Sequence, residues 1–293
     1  MNNFTIQLYR IIVPKYFRRK IQAKRLPVSI FSYYKNHPEA LSPEIKSVLT
    51  YLKTNTIAIF PYSFQHDYCQ EDVEVYDDDE TGLRYVLLDG KRLYFKRRWG
   101  TKKIQKLHSI LLKEQDIQSP HRYLSEQFGF NDGDLLIDAG VAEGNFALTM
   151  VEKASKLILV EPDREWLEPL KATFAPWKDK VVIINKFIGH KTGPVHTTLD
   201  DIVPPMATGI FIKADVEGAE LALLKGSKKI LTEHRDLKIA ICTYHRENDE
   251  KELTEFLSQY KFKISPSRGY MLPIFDKKMR APFFRRGLIR AKK

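Results

Sequence analysis

The chain has 293 residues, of which 43% are hydrophobic, enough to fill the core of one large domain or of a domain with an extension. Its net charge of +11 is concentrated at the ends: residues 1–26 hold seven Lys/Arg and residues 277–293 hold eight, neither stretch has an acid, and the rest of the chain stands at −4. A mildly acidic body argues against a nucleic-acid groove built into it and leaves the basic ends available to an anionic surface.

The opening stretch LYRIIVPKYFRRKIQAKR is basic and amphipathic, but its apolar run is short, contains Pro14 and precedes the positive cluster. That pattern excludes a transmembrane helix and a secretory signal. It allows peripheral contact of residues 1–26 with a membrane surface, or a helix packed on the body with a solvated face. Residues 42–55 begin Ser-Pro and place Ile45, Val48, Leu49 and Leu52 at a helical period. Short strands are predicted at 57–60, 73–76, 83–89 and 91–97, the last two joined at Asp89-Gly90, followed by a helix over 102–116. Residues 1–125 therefore read as a small α+β accessory domain, with no motif that names a chemistry. Cys69 and Cys242 are far apart and show neither metal-ligand spacing nor a disulfide framework, so both are expected reduced in a cytoplasmic protein.

From residue 133 onward, short apolar runs at 134–140, 156–162, 180–186, 208–215 and 237–245 alternate with helix candidates at 143–153, 164–174, 218–231 and 248–260. Continuous apolar strands separated by helices predict an α/β fold with a doubly wound, mostly parallel sheet over residues 126–276, leaving 277–293 as a basic tail. In such sheets ligands bind at the carboxyl ends of the strands.

The first of these strands ends in Asp138-Ala-Gly140-Val-Ala-Glu143-Gly144-Asn145, a glycine turn opening a helix. Two carboxylates beside a pyrophosphate are unfavourable, whereas S-adenosylmethionine brings an ammonium and a sulfonium. The G-x-x-x-G spacing also differs from the dinucleotide fingerprint. Glu161, at the end of the second strand, is placed to accept hydrogen bonds from both ribose hydroxyls of an adenosine. The fourth strand ends in IKADVEGAE. There Asp215 and Glu217 share one side of an extended segment and are expected to line the crevice, and Glu220 is expected to serve the helix dipole. The fifth run brings Tyr244 and His245 close by, with His245 the first candidate for a general base and Asp215 the second. His190 and His196 are weaker candidates in a glycine-containing loop. A divalent ion on Asp215 and Glu217 is chemically reasonable, but two carboxylates do not define a metal site.

The strings LLIDAGVAEGNFAL, LILVEPD, TTLDD, IFIKADVEGAELALLKGSKKIL and CTYHRENDEKELTEFL resemble the FkbM family of methyltransferases over roughly residues 120–275. The resemblance implies a class I Rossmann-like methyltransferase fold. It also implies S-adenosyl-L-methionine as cofactor and methyl transfer to a hydroxyl of a sugar, a polysaccharide precursor or another secondary metabolite. By that matching Asp138, Gly140, Gly144, Asn145 and Glu161 would hold the cofactor, His121 and Arg122 of SPHRYL would cover it, and Asp215 and Glu217 match the acidic fourth-strand motif. A nucleotide-dependent oxidoreductase or epimerase on the same architecture, and a non-catalytic adaptor docking through the basic ends, are the alternatives from other classes. A nucleic-acid substrate is not expected.

Overall fold

The computed structural model describes the backbone of residues 15–276 and 279–293, with side chains from residue 25. Residues 1–14 of the expected membrane-surface segment lie outside the described residues. Among the described residues no helix is long and apolar enough to cross a membrane.

Helix α1 (Lys15–Asn36) buries Ile30 and Tyr34. Helix α2 (Pro43–Thr54) starts where Ser42 accepts the Ile45 N–H and Pro43 supplies a preset φ, and it buries Ile45, Val48 and Leu52 as the period predicts. Both helices close over Leu272 and Phe284 from the far end of the chain. The expected strand at 57–60 does not form. Phe60 is buried instead by Phe64 and Met271, which an apolar run alone cannot distinguish from strand pairing.

Strands β1 (Tyr76–Asp77), β2 (Arg84–Leu88) and β3 (Lys91–Tyr94) make a small antiparallel sheet. Of the run at 73–76 only Tyr76 joins it. The β2–β3 turn is Asp89-Gly90, both at positive φ, as a two-residue hairpin requires. Helix α3 (Thr101–Gln115) follows. The expected independence of residues 1–125 is not observed. Leu93, Phe95 and Ile104 share one core with Phe146, Leu148 and Leu170 of the second half.

The central region runs β4 (Leu135–Ala139), α4 (Asn145–Met150), β5 (Lys156–Val160), α5 (Leu167–Thr173) and β6 (Val181–Ile184). A short parallel pair, β7 (Phe187–Ile188) and β8 (His196–Thr197), leads through α6 (Leu199–Ile202) to β9 (Ile210–Ala214). Then come α7 (Glu220–Lys225), α8 (Lys228–Glu233), β10 (Leu237–Cys242), α9 (Asp249–Ser258), β11 (Lys263–Pro266) and β12 (Leu288–Lys292). The predicted helix at 218–231 is thus two helices. It breaks at Gly226, where a Cβ would lie 2.0 Å from the Gly189 carbonyl oxygen.

The seven-stranded sheet has the order β11-β12-β10-β9-β4-β5-β6, with β12 antiparallel to both neighbours and the rest parallel. Strands β4 and β9 are buried at every residue, which follows from apolar side chains on both sides of a sheet covered on two faces. This is the expected doubly wound Rossmann-like fold. Strand order reverses between β4 and β9, the pair whose ends open the ligand crevice.

Of the expected basic tail 277–293, residues 277 and 278 lie outside the described residues, and the rest is not a solvated tail. Leu288, Ile289, Arg290 and Ala291 are buried in β12, between β10 and β11. The charge of Arg290 is tolerated there because its guanidinium donates to the carbonyls of Tyr123 at 2.9 Å and Arg122 at 2.6 Å.

Candidate functional site

The ends of β4, β9 and β10 converge on Asp215. Its N–H donates to the Ala139 carbonyl, and Gly140, at φ +74°, lies so close that a Cβ there would be 1.9 Å from the Asp215 carbonyl oxygen. Gly140 therefore lets the two strand ends meet. Tyr244 and Tyr123 donate their hydroxyls to the Asp215 carboxylate at 3.2 and 3.3 Å. Nε2 of His121 lies 3.5 Å from one oxygen and Nε2 of His245 lies 3.3 Å from the other. Burial pushes the Asp215 pKa up, but the hydrogen bond and charge of His121, with Lys213 and His245, outweigh it and hold the carboxyl well below the usual range.

His245 is fixed from its other side by Glu220, whose Oε1 lies 3.0 Å from Nδ1. Burial lowers the His245 pKa, and Glu220, Asp215 and Glu217 reverse that and raise it to about 9. At neutral pH this imidazole carries a proton, so the expected role of His245 as a ready general base does not hold in this arrangement.

Asp138 is 1% exposed and pairs with Lys213 at 2.8 Å, and Lys213 also donates to the Gly140 carbonyl at 2.7 Å. Burial raises the Asp138 pKa, and burial opposes the Lys213 charge until Asp138 and Asp215 restore it. Glu143, buried in the glycine turn, is pushed up to about 8 by desolvation, with Glu114 and Asp138 adding to the rise. Glu161 accepts the N–H groups of Ala142 and Asp163 at 3.0 and 2.9 Å, which aims its carboxylate at the mouth of that turn.

The remaining sequence candidates divide. Gly144, at φ +87°, faces Phe174, whose ring would be 2.9 Å from an added Cβ, so this glycine serves helix packing rather than ligand approach. Asn145 and Arg122 line a separate cavity of about 360 Å³ between α3, the β2–β3 turn and α4. His121 is fully buried behind Asp215 and does not cover the crevice. Glu217, at φ +53° with a side chain 91% exposed, stands at the rim, 3.7 Å from His245 Nε2. His190 lies in the β7–β8 loop and His196 opens β8, both exposed; the His196 ring is tilted 31° against Phe187.

Sequence reasoning assigned Glu220 to the helix dipole, yet it is 0% exposed and accepts from Val216 and Gly218 N–H while holding His245. It also missed Tyr123 and the framing role of the C-terminal arginines. Arg285 donates to the Tyr244 and His245 carbonyls, and Arg290 clasps the loop bearing His121 and Tyr123. A lone arginine inside the apolar run Leu288-Ile289-Arg290-Ala291 was the available signal.

No family profile matches the chain, and no curated protein matches it. Among solved structures, a precorrin-6Y C5,15-methyltransferase from Geobacter metallireducens is 12% identical, covering 64% of this chain and 88% of its own, with a TM-score of 0.39. An rRNA methylase from Streptococcus thermophilus is 15% identical over 56% of this chain and 89% of its own, TM-score 0.36. A SAM-dependent methyltransferase from Aquifex aeolicus is 17% identical over 57% and 91%, TM-score 0.37. Likenesses this distant leave function to be argued from the residues of this chain.

Proposed function

We propose that this protein is an S-adenosylmethionine-dependent O-methyltransferase of the FkbM type, acting on a hydroxyl of a small-molecule or glycan acceptor. The observation that carries the reading is the charge of the crevice. Asp138, Glu143, Glu161 and Asp215 gather around a glycine turn with Lys213 as their ammonium partner. Buried carboxylates in such excess favour a ligand that carries positive charge and disfavour a pyrophosphate, which argues against the oxidoreductase alternative. The adaptor alternative loses support because Arg285, Arg286 and Arg290 are spent on internal partners.

The cofactor supplies an electrophilic methyl on a sulfonium, which leaves as a neutral thioether when the acceptor oxygen forms the new bond. The remaining work falls to this chain. Glu161, held by two backbone amides, is the group for the ribose hydroxyls, and Glu143 and Asp138 supply negative charge near the glycine turn. Asp215, ionised and braced by two tyrosines, accepts the hydrogen bond of the acceptor hydroxyl and orients its oxygen lone pair toward the methyl, and the hydroxyl proton leaves to solvent as the bond forms; positioning of this kind supplies much of such a rate.

The test uses Glu143. With its pKa near 8, this group is largely protonated at neutral pH, and a cationic ligand favours its carboxylate form. Binding of S-adenosylmethionine at neutral pH is therefore expected to release a proton and to tighten as pH rises, levelling above about 8. Calorimetry in two buffers of different ionisation enthalpy reads the proton, and Glu143→Gln should remove it. Proton release that persists undiminished in that variant would rule out Glu143 as part of the cofactor site.

A further inference from the structure

We infer that His245, Asp215 and Glu217 form a binding site for one divalent cation, with Glu220 orienting the histidine. Nε2 of His245 lies 3.3 Å from Asp215 Oδ1 and 3.7 Å from Glu217 Oε2. Two ligands about 2.1 Å from an octahedral ion stand about 3.0 Å apart, so His245 and Asp215 already lie near ligand spacing, and the exposed Glu217 carboxylate is free to swing onto the third position. The His245 side chain is nine-tenths buried, and neither ring nitrogen completes a hydrogen bond although each faces a carboxylate. Its Nδ1 faces Glu220 Oε1 at 3.0 Å. A carboxylate beside Nδ1 is the arrangement that orients a metal-ligating imidazole, and an ion entering the site displaces the Nε2 proton that His245 carries at neutral pH. Glu220 is fully buried and held by the Val216 and Gly218 N–H groups, so the orienting group is itself anchored.

The donor set, one imidazole nitrogen and two carboxylates, suits Mn²⁺ and related first-row ions, and three protein ligands on a six-coordinate ion leave positions for water or an acceptor oxygen. The existence of the site is independent of methyl transfer. Its use rests on the proposed function: a hydroxyl bound to the ion becomes more acidic, its proton leaves to solvent, its oxygen forms the bond to the methyl carbon, and the carbon–sulfur bond breaks.

The experiment is titration of Mn²⁺ alone into the chelator-treated full chain, followed by electron paramagnetic resonance. One bound ion with a nitrogen coupling from imidazole is expected. Glu217→Gln, a rim substitution that places no demand on folding, should weaken binding about 10-fold or more, and His245→Gln should erase the nitrogen coupling. Folded protein that takes up no Mn²⁺ at millimolar concentration would overturn the site, as would bound Mn²⁺ without nitrogen coupling. So would affinity unchanged by Glu217→Gln. Parallel calorimetry with S-adenosylmethionine separates the two ideas: cofactor binding without Mn²⁺ binding defeats only the metal site, and Mn²⁺ binding without cofactor binding leaves the site and defeats its assigned use.

Discussion

Lys213→Met is expected to destabilise the protein by about 3–5 kcal/mol, the usual consequence of removing one partner from a buried ion pair. Lys213 and Asp138 are 6% and 1% exposed at the side chain and 2.8 Å apart, and both lie on central strands, paired in register between β9 and β4. Methionine is close in volume to lysine without its head, so the loss reports charge rather than a cavity. Asp138 then stays buried without its cation and must either remain charged at high cost or take up a proton. The pKa of Asp138 is already raised by burial, and loss of Lys213 raises it further, so the stability deficit should shrink as the pH falls. The double variant Asp138→Asn, Lys213→Met should recover a substantial part of the loss, because it leaves no uncompensated charge at that pair. Chemical denaturation of both variants beside the parent checks this; a Lys213→Met variant as stable as the parent would show that the pair does not anchor the crevice.

The second large effect concerns the C-terminus. Deleting residues 284–293 should abolish cooperative folding. The deleted stretch supplies β12, which pairs with β10 over Lys238–Cys242 and with β11 over Lys263–Pro266. It also supplies Phe284 to the core under α1 and α2, and the Arg290 clasp on the 122–124 carbonyls. Without it, β11 loses its neighbour, β10 becomes an exposed hydrophobic edge, and the loop bearing His121 and Tyr123 loses its support. Arg280→Gln, an exposed basic residue of the same segment, should leave the thermal transition in place. A truncated chain that melted like the parent would restore the solvated-tail reading.

That reading failed for a definable reason. Charge counting treats Arg285, Arg286 and Arg290 alike with Lys292 and Lys293, but a guanidinium has five donors and can be buried wherever enough carbonyls converge, and only the apolar run around Arg290 marks this locally. The parallel strands were legible because β4, β5, β9 and β10 are buried on both faces and so spell uninterrupted apolar runs, and the Asp89-Gly90 turn was legible because only certain residues accept its backbone angles. The segment at 57–60 was misread because its partners are distant in sequence: Met271 packs on Phe60, and a single backbone hydrogen bond from Leu272 N–H to the Ile59 carbonyl stands where a strand would need a ladder.

The site was legible in its acids and less so in their roles. Asp138, Glu143, Glu161 and Asp215 stand together at the strand ends, as the spacing predicted. Gly144 matched the same motif yet serves Phe174, and Glu220 looked like an ordinary first-turn acid while its burial and its contact with His245 depend on where β10 ends. The protonation of His245 likewise follows from three surrounding carboxylates that come from a different loop.

Cofactor binding is tested by calorimetry of the full chain with S-adenosylmethionine, with a nicotinamide dinucleotide as control and Glu161→Ala as the variant. Binding of S-adenosylmethionine is expected, at least about 10-fold weaker in Glu161→Ala, with none for the dinucleotide. Folded protein that binds the dinucleotide, or binds neither ligand, would contradict it.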